Sequence, residues 1–284
     1  MSADVASAHP VLSRRRGLGA TSARSLLLTV LGEFVLPRDE PVWTQVLLDV
    51  LGQLGVEAKS ARQALARTAA EGLLRSDRSG RRVRWSLSDQ GSRLLSDGAS
   101  RIYGFSAAAR PWDGRWLVLL GSVPEARRRL RHRLRTRLAW AGLGSPAPGV
   151  WLTPDPTKQA EVSEVVADLE LDAVTSSFVG SFGDLGDPQL LVDQAWNLSE
   201  VEAAYTAFLD TFGDVEPAGP ADALTHQIHL VHEWRRFPFL DPKLPGELLP
   251  DEWAGARAAE LFDSLHRRWE RAAQQQWQSL VSSA

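Results

Sequence analysis

The stretch from Ala23 to Leu87 constrains the fold more than any other part of the chain, because helical patterns there give way to short strand-like runs. Leu26, Leu27, Val30, Leu31 and Phe34 recur at helical spacing over Ala23–Phe34. Beyond Pro37 and Pro41 a second helix carries Val46, Leu47, Val50, Leu51 and Leu54 on one face and is ended by Gly55. The spacing predicts a third helix over about Ala58–Glu71, with Gly72 placed to terminate it. Leu73–Ser76 and Val83–Leu87 read as strands around Asp77-Arg78-Ser79-Gly80, a hairpin signal. Helix, helix, helix, two-stranded wing is the order of a winged helix-turn-helix, closed by a short helix over Asp89–Asp97.

The third helix has two chemically distinct faces. Ala61, Leu65, Thr68 and Gly72 are expected to point inward, while Lys59, Arg62, Gln63, Ala66, Arg67 and Ala70 share the opposite face. Arginine and lysine in such a stripe pair with guanine O6 and N7 or with phosphates, and glutamine reads adenine. The small Ala66 and Ala70 let the helix approach a groove closely. Arg75, Arg78, Arg81, Arg82 and Arg84 on the wing are placed for backbone contacts. For an isolated helix, a solvated basic face is the plainer reading; a basic wing following in the right order favours duplex DNA. The candidate DNA-contacting set is Lys59, Ser60, Arg62, Gln63, Arg67, Arg78, Arg81 and Arg82.

Charge supports that polarity. The formal net of −3 hides 24 basic and 12 acidic residues in 1–150, a net of +12, against 8 basic and 23 acidic in 151–284, a net of −15. A polyanion-facing half is thus followed by a half that disfavours DNA. Zero cysteines exclude thiolate zinc sites, disulfides, iron–sulfur clusters and cysteine nucleophiles, and fit a cytoplasmic protein. No run of about 18 apolar residues is present to span a membrane.

Past Arg110-Pro111 the texture changes. Trp116–Leu120 reads as a strand, Pro124–Trp140 as a helix, Gly149–Thr153 as a strand, Thr157–Leu169 as a helix and Ala173–Phe182 as one or two strands. This alternation suggests an α+β ferredoxin-like unit. From Pro188 the pattern is helical, over Leu198–Phe212, Ala221–Trp234 and Ala254–Leu280. The expected organisation is α+β and multi-domain: a disordered basic arm over 1–22, a winged helix over 23–110, a ferredoxin-like domain over 111–187, and a helical effector and dimerisation domain over 188–284.

Four stretches carry a family resemblance: Ala23–Phe34; Ser60–Leu74; Trp112–Trp151, with DGRW, VPEARRRLRHRLR and PGVWLTP; and His232–Gly255, HEWRRFPFLDPKLPGELLPDEWAG. They resemble the PaaX family, bacterial repressors of phenylacetic acid catabolism and related pathways. The resemblance implies a winged-helix reader, a ferredoxin-like middle domain, a helical C-terminal domain and a homodimer. It also implies a palindrome-like operator and release by an acyl-CoA, phenylacetyl-CoA in the founding case. By position Arg62 and Arg67 match the arginines of the family's recognition helix. Many members have leucine where this chain has Thr68 and tryptophan where it has Leu73.

Three further groups need a reading. Arg127, Arg128, Arg129, Arg131, Arg133, Arg135 and Arg137, with His132, crowd one helix; they suit either an anion site or a solvated surface. The middle domain resembles CRISPR-associated ferredoxin-like nucleases, which hold a metal through an aspartate at the end of the first strand. Here that strand runs into Gly121-Ser122-Val123 without a carboxylate, so no enzymatic activity is expected. His226, His229 and Glu233 share a helical arc that suits a divalent metal, but hydrogen-bonding or surface histidines are commoner, and neither metal nor cofactor is expected. For an effector, His232, Trp234, Arg235 and Arg236 are the candidates, with guanidinium forks for phosphate and an indole face for an adenine or aryl ring; equally, the arginines suit ion pairs with Asp241 or Glu247 that pin the proline-rich turn Phe237–Pro250.

Overall fold

The computed structural model describes residues 22–105 and 111–284. The basic arm expected at the start lies outside them except for Ser22, whose hydroxyl caps the first helix by accepting from the Ser25 amide at 3.1 Å. In chain order the elements are α1 (Ala23–Val30), β1 (Val42–Trp43), α2 (Thr44–Gln53), α3 (Ala58–Ala70), β2 (Leu74–Ser79), β3 (Arg82–Leu87) and α4 (Asp89–Tyr103). Next come β4 (Arg115–Gly121), α5 (Arg128–Trp140), β5 (Gly144–Ala147), β6 (Val150–Thr153), α6 (Gln159–Asp168) and β7 (Thr175–Ser181). The rest is helical: α7 (Pro188–Ala195), α8 (Leu198–Phe212), α9 (Pro220–Trp234), the short α10 (Phe237–Leu240) and the long α11 (Ala254–Ser282). The fold is mixed, helix with two small sheets, and multi-domain.

The described chain falls into two compact units, neither continuous in sequence. One joins residues up to 100 with 216–233 and 266–284; the other joins 101–215 with 234–265. The helices of 188–284 are therefore shared between the units.

In the first unit the helical spacings of α1, α2 and α3 meet in one core of Leu26, Leu27, Leu47, Leu51, Ala61 and Leu65, which Trp277 of α11 and Ile228 of α9 also enter. Both helix-ending glycines work through one device. Gly55 (φ +78°) and Gly72 (φ +77°) adopt the left-handed conformation that glycine tolerates. The Gly72 amide reaches the Ala69 carbonyl at 2.9 Å and the Leu73 amide the Thr68 carbonyl at 3.1 Å, the paired bonds of a Schellman stop. Gly72 thus lies beyond the helix and exposed rather than on its inward face, which is made by Ala61, Ala64, Leu65 and Thr68.

The wing is longer than its sequence suggests. β2 continues through Ser79, paired with Arg82, so the turn is Gly80-Arg81, with Gly80 left-handed. β1 adds a third strand, giving the order β1-β3-β2. The helix expected over Ala23–Phe34 changes its winding at Leu31–Val35, a π-helical turn closed by the Leu36 amide on the Leu31 carbonyl at 2.8 Å.

In the second unit the strands form an antiparallel sheet of order β5-β6-β4-β7. With α5 after β4 and α6 after β6 this is the ferredoxin-like arrangement. Leu134 and Leu138 of α5 and Val162, Val165 and Val166 of α6 cover the face bearing Leu117 and Leu119; Trp116 and Leu152 pack on the other side with Val192, Leu198 and Leu244. The DGRW run is the turn that starts β4. Gly114 is left-handed (φ +75°), and the Asp113 carboxylate accepts from the Arg115 amide and guanidinium at 3.0 and 2.7 Å.

Candidate nucleic-acid interface

On α3, Lys59, Arg62, Gln63, Ala66, Arg67 and Ala70 are all exposed, and Ser60 is half-buried at the start of the helix. From Lys59 to Arg67 this stripe runs about 12 Å along the axis, comparable with the width of a major groove. Among the described residues none of the Lys59, Arg62 and Arg67 side chains is in an ion pair. The opposite face is anchored firmly: Ala61, Ala64, Leu65 and Thr68 are buried, and the Thr68 hydroxyl donates to the Ala64 carbonyl at 2.8 Å. That bond satisfies the one polar group where family members place leucine, and Leu73 is buried in its turn.

The wing arginines divide into two sets. Arg75 meets Asp89 at 3.2 Å and Arg84 meets Asp77 at 2.6 Å. Arg82 lies 4.1 Å over the Trp43 ring and donates to the Ala284 carbonyl. Arg78 and Arg81, at the hairpin tip, are exposed and among the described residues have no ion-pair partner. Of the wing residues assigned to DNA from the sequence, Arg78 and Arg81 are exposed without an ion-pair partner among the described residues, and Arg82, also exposed, is engaged by Trp43 and Ala284.

The effector candidates are divided between the two units. His232 belongs to the first unit, where its Nδ1 lies 3.1 Å from the Thr29 hydroxyl; Trp234, Arg235 and Arg236 belong to the second. Trp234 is fully buried. Its ring stacks on Phe262 at 4.6 Å, meets Phe237 at 5.1 Å and Phe208 at 5.3 Å, and its indole N–H donates to the Ile102 carbonyl at 3.3 Å. The indole face that the sequence offers to a ligand is in contact with these core rings. Arg235 and Arg236 are half-buried.

Sequence reasoning missed a polar group. Glu33, in the π-helical turn, is only 9% exposed, yet it meets His266 Nε2 at 3.1 Å and accepts from the Gln227 amide at 3.3 Å. Its backbone carbonyl, whose i+4 position is Pro37 and offers no N–H, accepts from Gln274 at 3.1 Å. The signal was a carboxylate between Leu31 and Phe34 on a stripe otherwise apolar.

Among the described residues no group of three or more His, Asp or Glu is disposed to hold a metal. His226 faces Asp222 at 3.3 Å and the Trp269 ring at 5.8 Å. Burial, helped by His226 and opposed by Glu233, holds His229 below the ordinary imidazole range. The unfolded chain then binds this proton more tightly than the folded one. Stability is expected to fall as pH drops below about 6.5, and to stop falling once the folded imidazole is itself protonated. Thermal melts at neutral and mildly acidic pH check this: His229→Gln should lose less on acidification than the parent, and equal losses would sink the assignment.

Family comparisons place this geometry. The model described as PaaX-like protein matches residues 22–91, the PaaX protein central Cas2-like domain 109–192, and the PaaX-like protein C-terminal domain 196–279. Transcriptional repressor PaaX of Escherichia coli (strain K12) is 32% identical over 258 residues, covering 87% of this chain and 80% of that protein. The solved structure of the uncharacterized protein Rv0674 from Mycobacterium tuberculosis shares the fold, with a TM-score of 0.63 at 22% identity over 91% of this chain and 98% of that one. Matched in succession by all three of the family's models, the chain belongs to the PaaX family.

Proposed function

We propose that the protein is a PaaX-type transcriptional repressor, a regulator rather than an enzyme, acting on double-stranded operator DNA in the cytoplasm. The observation that carries this reading is the exposed, unneutralised stripe of Lys59, Arg62, Gln63 and Arg67 on a helix whose other face is locked into the core. Arg78 and Arg81 at the wing tip add phosphate contacts. Among the described residues no helix is long and apolar enough to cross a membrane.

A homodimer belongs to the same reading, with two readers set on the half-sites of an inverted repeat. Its support is β7, a terminal strand of the sheet with one edge unpaired by β4, on which Phe178 is 59% and Val179 42% exposed. Leu120, 41% exposed, lies on the same face as Phe178. Such an edge is a template for strand addition by another chain. We assign the response to an acyl-CoA or aromatic effector to Arg235 and Arg236, whose guanidinium groups suit phosphate. Release then requires the ligand to favour one dimer state over the other.

Mobility-shift titration on the promoter of the neighbouring genes tests the reading. Arg62→Ala and Arg67→Ala should each cost about 1–3 kcal/mol of operator affinity and relax base preference. Unchanged specific binding in both would remove α3 from the interface.

A further inference from the structure

We propose that the start of α5 is a second DNA contact, gripping the phosphate backbone of duplex without regard to sequence. This rests on the reading of α3 as the operator reader, but uses residues which that reading leaves idle. Arg127, Arg128, Arg129, His132 and Arg133 line an open hollow of roughly 900 Å³, with only Ala126 and Leu130 as apolar lining. All five basic side chains are exposed, and among the described residues none of the four arginines has an ion-pair partner. Arg137, at the far end of the same helix, is neutralised by Asp168 at 2.7 Å. The uncompensated charge is thus concentrated over about two turns, some 9 Å of axis.

Folding gains nothing from that concentration. Arg129 and Arg133 stand one turn apart, and like charges at this spacing weaken a helix. The helix is fixed by Leu134 and Leu138, both buried in the sheet core, so the arginines are not needed to hold it. The first-turn amides of α5 add the positive end of the helix dipole. Such a surface calls for a counter-anion.

The shape selects the kind of anion. Among the described residues no Phe, Tyr or Trp ring lines the hollow, and no wall encloses it as a small-molecule site would require. An exposed row of guanidinium groups instead suits successive phosphates of an extended backbone. Such a contact leaves sequence choice to α3 and contributes affinity and salt dependence.

The test is fluorescence anisotropy of the full-length chain on a labelled, mixed-sequence duplex of about 40 base pairs, from about 50 to 200 mM salt. The quadruple variant Arg127→Gln/Arg128→Gln/Arg129→Gln/Arg133→Gln should bind about 10-fold or more weakly, with a log–log salt slope shallower by about 2 to 4. The corresponding quadruple lysine variant should keep the parent slope, since phosphate accepts a point charge. Circular dichroism melts confirm that both fold. An unchanged slope in the glutamine variant, or a lysine variant that loses as much, overturns the proposal. The double variant Arg62→Ala/Arg67→Ala is run alongside on promoter DNA: its failure to lose operator preference overturns the reading of α3 instead.

Discussion

Trp234→Ala is expected to destabilise the second unit by about 3–5 kcal/mol, the range for emptying a large aromatic site in a packed core. Among the described residues the indole is in contact with five rings: Phe105, Tyr205, Phe208, Phe237 and Phe262. Alanine removes these contacts and leaves the Ile102 carbonyl without its donor. The cluster continues through Tyr205, stacked on Phe237 at 4.2 Å, whose hydroxyl donates to Asp241 at 2.7 Å. Burial pushes both of those groups up in pKa, so the phenol stays neutral and the carboxyl resists ionisation more than an ordinary aspartate. Thermal unfolding followed by near-UV circular dichroism reads the loss, and Trp234→Phe should recover much of it. A Trp234→Ala protein that melted like the parent, yet no longer responded to acyl-CoA, would return this ring to the ligand site.

Trp277→Ala should have an effect of the same size in the first unit, again about 3–5 kcal/mol. Trp277 is 2% exposed and stacks on Phe34 at 5.1 Å, within the core that also holds Leu47, Leu51 and Leu65. The indole lies more than 200 positions after α3 in the sequence and yet in the same core. The consequence is specific: operator binding should be lost at temperatures where the parent still binds, although no DNA-facing side chain has changed. Hydrogen exchange at the α1 and α2 amides is the measurement. Protection there should fall with the substitution, and unaltered protection would detach Trp277 from the stability of the reader.

The repeating spacings were legible because they follow from geometry alone. The third helix, expected over Ala58–Glu71, runs Ala58–Ala70, since its apolar positions and its glycine stop are local facts. What needed partners from elsewhere was not legible. β1 is two residues long and exists because Val42 and Trp43 find Trp85 and Arg84 across a ladder. β5 contains Pro146, which argues against a strand, but it is a sheet edge where the missing amide costs no ladder bond. The hairpin turn moved because Asp77 is occupied by Arg84, one strand across, instead of bending the chain. Trp234 is a case of the same kind. An indole followed by two arginines has the chemistry of a ligand site, and only the arrival of Phe208 and Phe262 from distant segments makes it core.

The candidate interface divides along the same line. Exposure of Arg62 and Arg67 follows from helix phase, which sequence supplies. The engagement of Arg82 with Trp43 and Ala284 depends on where β1 and the end of α11 lie, which sequence does not. Glu33 combines both cases: its position among apolar neighbours was visible, but His266 and Gln227 were not.

The interleaving of segments in the two units has an evolutionary consequence. A DNA-reading module that is continuous in sequence can be recombined onto new sensors by a single crossover in a linker. Here the first unit takes residues up to 100, then 216–233, then 266–284, so no single crossover transfers it whole. A chimaera joined after α4 would strip Ile228 and Trp277 from the core of the first unit. Diversification in a chain built this way is expected to proceed by substitution within an intact gene, without domain shuffling.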